Sequence, residues 1–416
     1  MLLLSKKTFV SLFFLLISFS VFSQSKDVPY VVMISFDGFR YDYVQKYAPK
    51  HIKKFIKKGA AATSMLPSYP SKTFPNHYTL VTGLYPAHHG LVDNSFYDAD
   101  RDAFYTMRQR DKVEDPYYYG GLPIWQLVQQ NGMKAASFFW VGSEAPIQGV
   151  YPTYYHNFNN AIPNKNRIQA VFDWLSLPEA ERPHLITVYF SQVDSIGHKF
   201  GPNAPETQAA VMEADNLVGM LMAGLKKIDL PVNVILTSDH GMYEMKNEAD
   251  KFLYTEDVLV GLDNKDFVFV NSGTHANVFL KDKLKEEEFF KRIAAKENHF
   301  KVYKRADIPK NLHYNDHPRI GDLTLMAETG YSFYSKESLT KKPETRKVWG
   351  VHGFDPYTTP EMGAIFYASG PNIKKGKTIP EFQNIHVYPF IATLLGISVP
   401  QNIDGDAKVL EGIIRK

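Results

Sequence analysis

Val234-Ile235-Leu236-Thr237-Ser238-Asp239-His240-Gly241 is the stretch from which the architecture follows. Apolar and β-branched residues make a buried strand, and the strand ends on a carboxylate and an imidazole. The same shape recurs upstream. Tyr30–Phe36 runs into Asp37-Gly38, and His184–Ser191 runs into Asp194. Lys134–Phe139 and Gly363–Ala368 also read as strands. Longer amphipathic stretches fall between them and predict helices over Asp42–Lys58, Leu122–Asn131, Asn166–Leu175, Pro205–Lys227, Leu284–Glu297 and Gln383–Leu395. Strands alternating with helices predict an α/β sandwich with a mostly parallel central sheet flanked by helices. In such sheets ligands gather at the carboxyl ends of the strands, so Asp37, Asp194, Asp239 and His240 are expected along one edge. Residues 242–347 read as less regular, a candidate cap or insertion within one catalytic domain over residues 24–416.

The opening residues read as an address. Lys6 and Lys7 precede the mostly apolar run Thr8–Phe22, too short for a comfortable membrane span. Val21-Phe22-Ser23 offers a cleavage site before Gln24, so residues 1–23 are expected to be a signal peptide that directs the chain to the periplasm or outside the cell. Its removal takes two lysines and lowers the formal charge from +3 to +1. A near-neutral surface argues against a nucleic-acid polymer as the main partner. After cleavage no later segment is apolar enough for stable membrane insertion. The chain has no cysteine, so disulfides hold nothing together and a hydrophobic core must. Any metal site then uses oxygen and nitrogen ligands, which suits zinc.

Asp194 and His198 are spaced i, i+4 and share one face of a helix. With His352 from a distant loop they would make a three-ligand zinc site with an open fourth position. Asp37, Asp239 and His240 would make a second, with Thr73 Oγ as its remaining ligand. Two metals about 4 Å apart can clamp the attacking and leaving oxygens of an in-line displacement at phosphorus. A threonine hydroxyl is a poor nucleophile until coordination lowers its pKa. Pro75 suits the first turn of a helix running through Leu80, so Thr73 is expected at a helix N-terminus that favours an anionic phosphoryl group. The amide of Asn94 could donate to a nonbridging oxygen as charge builds there.

Lys72-Thr73-Phe74-Pro75-Asn76-His77, with Thr82-Gly83-Leu84-Tyr85-Pro86 and His89-Gly90 behind it, resembles the nucleotide pyrophosphatase/phosphodiesterase family of the alkaline phosphatase superfamily. The likeness continues through Gly142-Ser143-Glu144, Asp194-Ser195-Ile196-Gly197-His198, Ser238-Asp239-His240-Gly241 and Val351-His352-Gly353, over nearly the whole mature chain. It implies an alkaline-phosphatase-like fold, two zinc ions on the ligand sets above, and Thr73 as a nucleophile that is transiently modified. It implies Asn94 as the oxyanion-stabilising amide, Phe74 and Tyr155 as aromatic residues around a nucleobase, and Lys112 as a nucleotide contact. The expected substrate is a small nucleotide or other phosphodiester, hydrolysed to a nucleoside 5′-monophosphate. Val141 departs from the family pattern, and no cysteine-rich accessory domain is present, as expected of a bacterial type.

Two rivals share the scaffold. A phosphomonoesterase needs extra cationic contacts, and none is evident near Phe138–Glu144. A lipid or choline head-group diesterase is expected to shorten Ala145–Ile168, which is full length here. A sulfatase motif is missing at Ser71–Pro75. A binding-only protein would be expected to lack some ligand, and all six are present. His77 is expected to pack behind the nucleophile rather than act on substrate. His275, His313 and His317 lack metal-like spacing with one another.

Overall fold

All seven residues of the strand Tyr30–Phe36 are buried. In the computed structural model, which describes residues 28–340 and 347–415, this strand lies near the middle of an eight-stranded sheet. The expected signal peptide over residues 1–23 lies outside the described residues. The spatial order is Lys377–Ile379, Ala60–Ala62, Phe366–Ser369, Val232–Thr237, Tyr30–Phe36, Pro183–Phe190, Lys134–Phe138 and Tyr154–His156. Phe366–Ser369 alone runs against its neighbours, and the other pairs are parallel.

Successive side chains of a strand point to opposite faces. Val31 and Met33 therefore join Tyr78, Leu80 and Tyr388 in one core layer. Val32, Ile34 and Phe36 join Ile168, Val211 and Leu217 in the other. The helices Thr73–Thr82 and Val387–Leu394 cover the first face, and Asn164–Leu175 and Pro205–Leu225 cover the second. Each fully buried aliphatic side chain contributes roughly 1.5–3 kcal/mol.

Differences from the sequence expectations have local causes. The helix expected over residues 42–58 breaks into Tyr43–Tyr47 and Lys50–Lys57. Ala48 adopts a left-handed φ of 52° before Pro49, because proline disfavours the right-handed helix in the residue before it. The strand expected from Gly363 begins at Phe366. Ala60–Ala62, Tyr154–His156 and Lys377–Ile379 span three residues each, too few to show a period.

The described residues between 242 and 340 form more regular elements than expected. They contain a four-stranded antiparallel sheet in the order Phe267–Asn271, His275–Leu280, Leu323–Ala327, Phe300–Lys304. Phe289 and Ile293 of the helix Glu286–Ala294 complete a separate core with Val278 and Leu325. The buried guanidinium of Arg319 ties this unit to the rest. It donates to Asp98 Oδ2 and to the carbonyl of Gly90, both at 2.8 Å.

Candidate active site

Asp37 follows Tyr30–Phe36 directly, and Asp239 and His240 follow Val232–Thr237 by two and three residues. Asp194 and His198 lie on the helix Gln192–Phe200, which leaves the strand Pro183–Phe190. His352 comes immediately after the strand Val348–Val351. Thr73 opens the helix Thr73–Thr82 and is almost fully buried. The Asn76 amide fixes the approach to it, accepting from Ser68 N–H at 2.7 Å and donating to the Pro70 and Lys72 carbonyls at 2.9 Å. Phe74 N–H would be an orphan of the first turn. It donates to Asn94 Oδ1 at 2.8 Å, which leaves the Asn94 Nδ2 hydrogens for another acceptor. Gly38 has a φ of 67°, and a Cβ there would lie 2.9 Å from Asp194 Cα. Only glycine lets the first strand end meet this helix so closely.

The three candidate ligand histidines share one arrangement. Nδ1 of His198, His240 and His352 lies 2.8 Å from the carbonyl of Gly350, Gly241 and Ser71 respectively. A carbonyl only accepts, so each Nδ1 carries a proton and each Nε2 is the ring nitrogen left to face the centre. Those nitrogens converge. His198 Nε2 and His352 Nε2 lie 3.0 Å apart, with Asp194 Oδ1 at 3.3 and 3.7 Å. His240 Nε2 lies 3.3 Å from Thr73 Oγ1, 3.0 Å from Asp239 Oδ2 and 3.6 Å from Asp37 Oδ1.

The carboxylates repeat the pattern. Asp37 Oδ2 accepts from Tyr189 Oη at 2.6 Å, and Asp239 Oδ1 accepts from Gly38 N–H at 3.2 Å. Asp37 Oδ1, Asp239 Oδ2 and Asp194 Oδ1 are buried without a hydrogen-bond donor. Burial and the neighbouring charges of Asp239 and Asp194 push the Asp37 carboxyl well above the usual range. Burial opposes ionisation of Asp239 too, but His240 and His77 outweigh it and hold that carboxyl well below the usual range. Burial and the nearby His240, His198 and Lys72 hold His352 well below the usual imidazole value. Such a cluster of partnerless buried carboxylate oxygens and converging imidazole nitrogens suits a divalent cation. Donor atoms within 4.8 Å of one another group as Asp194/His198/His352, Asp37/Asp194/His240 and Asp37/His77/Asp239. The oxygen and nitrogen donor set suits zinc.

His77 lies closer to the centre than its sequence position suggests. It is fully buried, with Nδ1 3.3 Å from Asp239 Oδ2 and 2.9 Å from the Thr73 carbonyl, and Nε2 2.8 Å from Ser35 Oγ. Asp93 is equally hidden. It accepts from Asn94 N–H at 2.7 Å, binds the Ser272 hydroxyl, and lies 3.0 Å from His275 Nε2. His275 therefore supports Asn94 through Asp93, a link that no local spacing shows.

Thr73, Asp37 and Asp194 open onto a cavity of about 460 Å³. Phe74, Phe139, Trp140 and Phe158 supply its aromatic wall. Tyr155 does not line it. On the edge strand Tyr154–His156, Tyr155 pairs with Ser137, and its ring stacks at 4.8 Å on Tyr151, 37% exposed. The chain turns after that strand, and Phe158 returns to the cavity with its N–H held by Glu144 Oε1 at 2.7 Å. Alternation along an edge strand could have pointed past Tyr155 to this residue. Lys112 is also outside the lining. It shares the short helix Arg110–Val113 with two lining residues, and its own ammonium lies 3.8 Å from Asp111. Arg108 and Arg110 reach the cavity, cations that the sequence around Phe138–Glu144 does not reveal. Arg110 is paired with both Glu114 and Glu144.

The sheet, with its acidic strand ends and the helix opened by Thr73, is the alkaline-phosphatase-like α/β architecture. Solved structures agree with it. The chain matches murine ectonucleotide pyrophosphatase/phosphodiesterase 5 with a TM-score of 0.83 and 27% identity, over 93% of this chain and 100% of that one. The human counterpart matches with a TM-score of 0.84. The model of the type I phosphodiesterase/nucleotide pyrophosphatase family covers residues 31–355, and the chain belongs to that family. It is 36% identical to human ectonucleotide pyrophosphatase/phosphodiesterase family member 1, over 90% of this chain and 41% of that protein. It is also 36% identical to venom phosphodiesterase 2 of Crotalus adamanteus, over 89% of this chain and 46% of that one. The chain thus spans less than half the length of these curated relatives.

Proposed function

We propose that this protein is a zinc-dependent phosphodiesterase that hydrolyses phosphodiester and pyrophosphate bonds of nucleotides. It releases a nucleoside 5′-monophosphate through a covalent intermediate on Thr73. One observation carries this reading. The Thr73 hydroxyl stands at a buried helix N-terminus, 3.3 Å from His240 Nε2, where the donors of six candidate ligands converge. Asp194, His198 and His352 would hold one zinc ion, and Asp37, Asp239 and His240 the other, with Thr73 as a further ligand. Zinc there would supply the positive charge that lowers the hydroxyl pKa and neutralises the phosphoryl group.

The protein's own groups do the rest. The helix opened by Thr73 presents its N-terminal dipole to the phosphoryl group. Asn94, oriented by Phe74 N–H, donates to a nonbridging oxygen. His77 steadies Asp239, and Tyr189 steadies Asp37. Phe74 and Phe158 receive the base, because aromatic faces stack any base. Tyr155 and Lys112 would contact substrate only beyond the cavity rim. A murine relative has been solved in complex with AMP, which supports a nucleoside monophosphate as the group retained.

The chain would work as one catalytic domain, the four-stranded unit within residues 242–347 acting as its cap. Lys6, Lys7 and the apolar run after them support export to the periplasm or beyond. Among the described residues no helix is long and apolar enough to cross a membrane. The test is kcat/KM for bis-p-nitrophenyl phosphate against p-nitrophenyl phosphate, with zinc and after chelation. A chelator-sensitive diester preference is expected. A monoester preference would transfer the reading to a phosphomonoesterase, with Arg108 as the cation for the second charged oxygen.

A further inference from the structure

The metal-ligand cluster separates two cavities. Thr73, Asp37 and Asp194 open onto the one already described. His198 and His352 line a second cavity of about 320 Å³, in which Thr73 takes no part. Lys72 lines it too, so consecutive residues serve opposite sides of the cluster. Lys72 is extended, at φ −120° and ψ 154°, just before the helix begins. Adjacent side chains of an extended segment point in opposite directions.

An in-line displacement places the departing oxygen opposite the nucleophile. With Thr73 on the first side, the group that leaves must move toward the second. We propose that this second cavity binds the leaving group and suits one that carries an aromatic ring beyond its phosphate, such as a nucleoside monophosphate. The inference rests on the phosphodiesterase reading above and adds to it the leaving-group side. In the step, the bond from Thr73 Oγ to phosphorus forms as the bond to the bridging oxygen breaks. The electron pair stays on that oxygen, and the departing phosphate monoester takes its charge into the cavity. The proton of Thr73 goes to solvent, and water later cleaves the Thr73–phosphorus bond.

The lining fits such a guest. The Lys72 ammonium donates to the Ser272 carbonyl at 3.0 Å, which uses one of its three hydrogens and leaves two for a phosphate. Trp349, Tyr334 and Val351 supply apolar wall. Trp349 is steadied by Phe252, the rings 6.1 Å apart and 18° from parallel. Gly273, at a φ of 81°, lines the cavity without a side chain to fill it. A concave, mostly apolar wall with one convergent cation is the usual form of a site for a small anionic aromatic ligand.

The test compares two substrates that share one nucleoside half and differ in the group that leaves. P1,P2-di(adenosine-5′) pyrophosphate releases AMP on the leaving side, and ADP releases inorganic phosphate. The kcat/KM ratio of the two is measured for the zinc-loaded wild-type protein, for Trp349→Ala, which removes the wall, and for Val351→Phe, which fills the space. A fall of about tenfold in both variants is expected, the size of one lost base–aromatic stack. AMP binding to the Thr73→Ala protein provides a readout apart from turnover. Calorimetry should show two AMP per chain, and one when Trp349→Ala is added. An unchanged substrate ratio, or a single AMP per chain with Trp349 in place, overturns the leaving-group site and leaves the phosphodiesterase intact. Turnover of neither substrate by the wild-type protein overturns the phosphodiesterase reading and this one with it.

Discussion

The two candidate ligand sets differ most in their access to water. Asp37, Asp239 and His240 have side chains at most 2% exposed. In the other set His352 is 5% exposed, but the His198 side chain is 43% exposed and Asp194 15%. The buried set grows from the ends of two central strands and holds Thr73. The more open set is assembled from one helix and the residue that follows the strand Val348–Val351. A nucleophile needs a fixed, dry environment in which electrostatic contacts are strong. A departing group needs a way out. The difference in burial therefore matches the two roles that the sets are proposed to play.

The largest expected effect is at the nucleophile. Thr73→Ala should lower kcat for a diester by about 10⁴-fold or more, as loss of a nucleophile does elsewhere, with the fold retained by circular dichroism. A loss under tenfold would mean that the buried set does not hold the reacting hydroxyl. Next come the carboxylates. Asp239→Asn should reduce both activity and stability, because His240 and His77 lean on that charge. Asp194→Asn should reduce activity by a similar factor with a smaller change in Tm. Equal changes in Tm would erase the contrast between the sets.

His77→Gln sharpens the comparison further. A side chain that orients a metal ligand typically contributes 10–100-fold to affinity. Titration with a chelating dye should then show one of two zinc equivalents weakened by that factor and the other unchanged. In the unmodified protein the dye should remove one equivalent quickly, from the open set, and the other slowly.

The smallest effect gives a baseline away from both sets. His89 is buried, with Nε2 3.0 Å from Thr79 Oγ1 and Nδ1 accepting from Leu91 N–H at 3.2 Å. Burial lowers its pKa to about 3. The folded protein therefore binds fewer protons than the unfolded chain between the ordinary histidine value and pH 3. Stability should fall as pH falls through that window, by at most about 1.4 kcal/mol per pH unit. Urea titrations of the metal-free protein should show this slope, and His89→Gln should flatten it.

The sequence revealed which candidate ligands would converge better than it revealed the shape of the pocket. Asp37, Asp239 and His240 were legible because a buried parallel strand is a continuous apolar run and ends abruptly. Asp194 and His198 were legible from helical spacing. Phe158 was not, because its place depends on a turn after a three-residue edge strand and on the hydrogen bond its N–H donates to Glu144. The Asp93–His275 contact joins residues 182 positions apart and leaves no local mark. The four-stranded sheet was obscured for the same reason, since its pairings skip from His275–Leu280 to Leu323–Ala327. The break at Pro49, by contrast, was written in the chain.

The covalent step on Thr73 is the centre of this account, and stereochemistry at phosphorus tests it most directly. Hydrolysis of a nucleoside phosphorothioate diester of known configuration, run in ¹⁸O-labelled water, reports whether the chiral centre is retained or inverted. Each in-line displacement inverts phosphorus, so attack by Thr73 followed by attack by water gives net retention. Retention is the expected result. Inversion would mean a single displacement by water, and Thr73 would lose its place as the nucleophile.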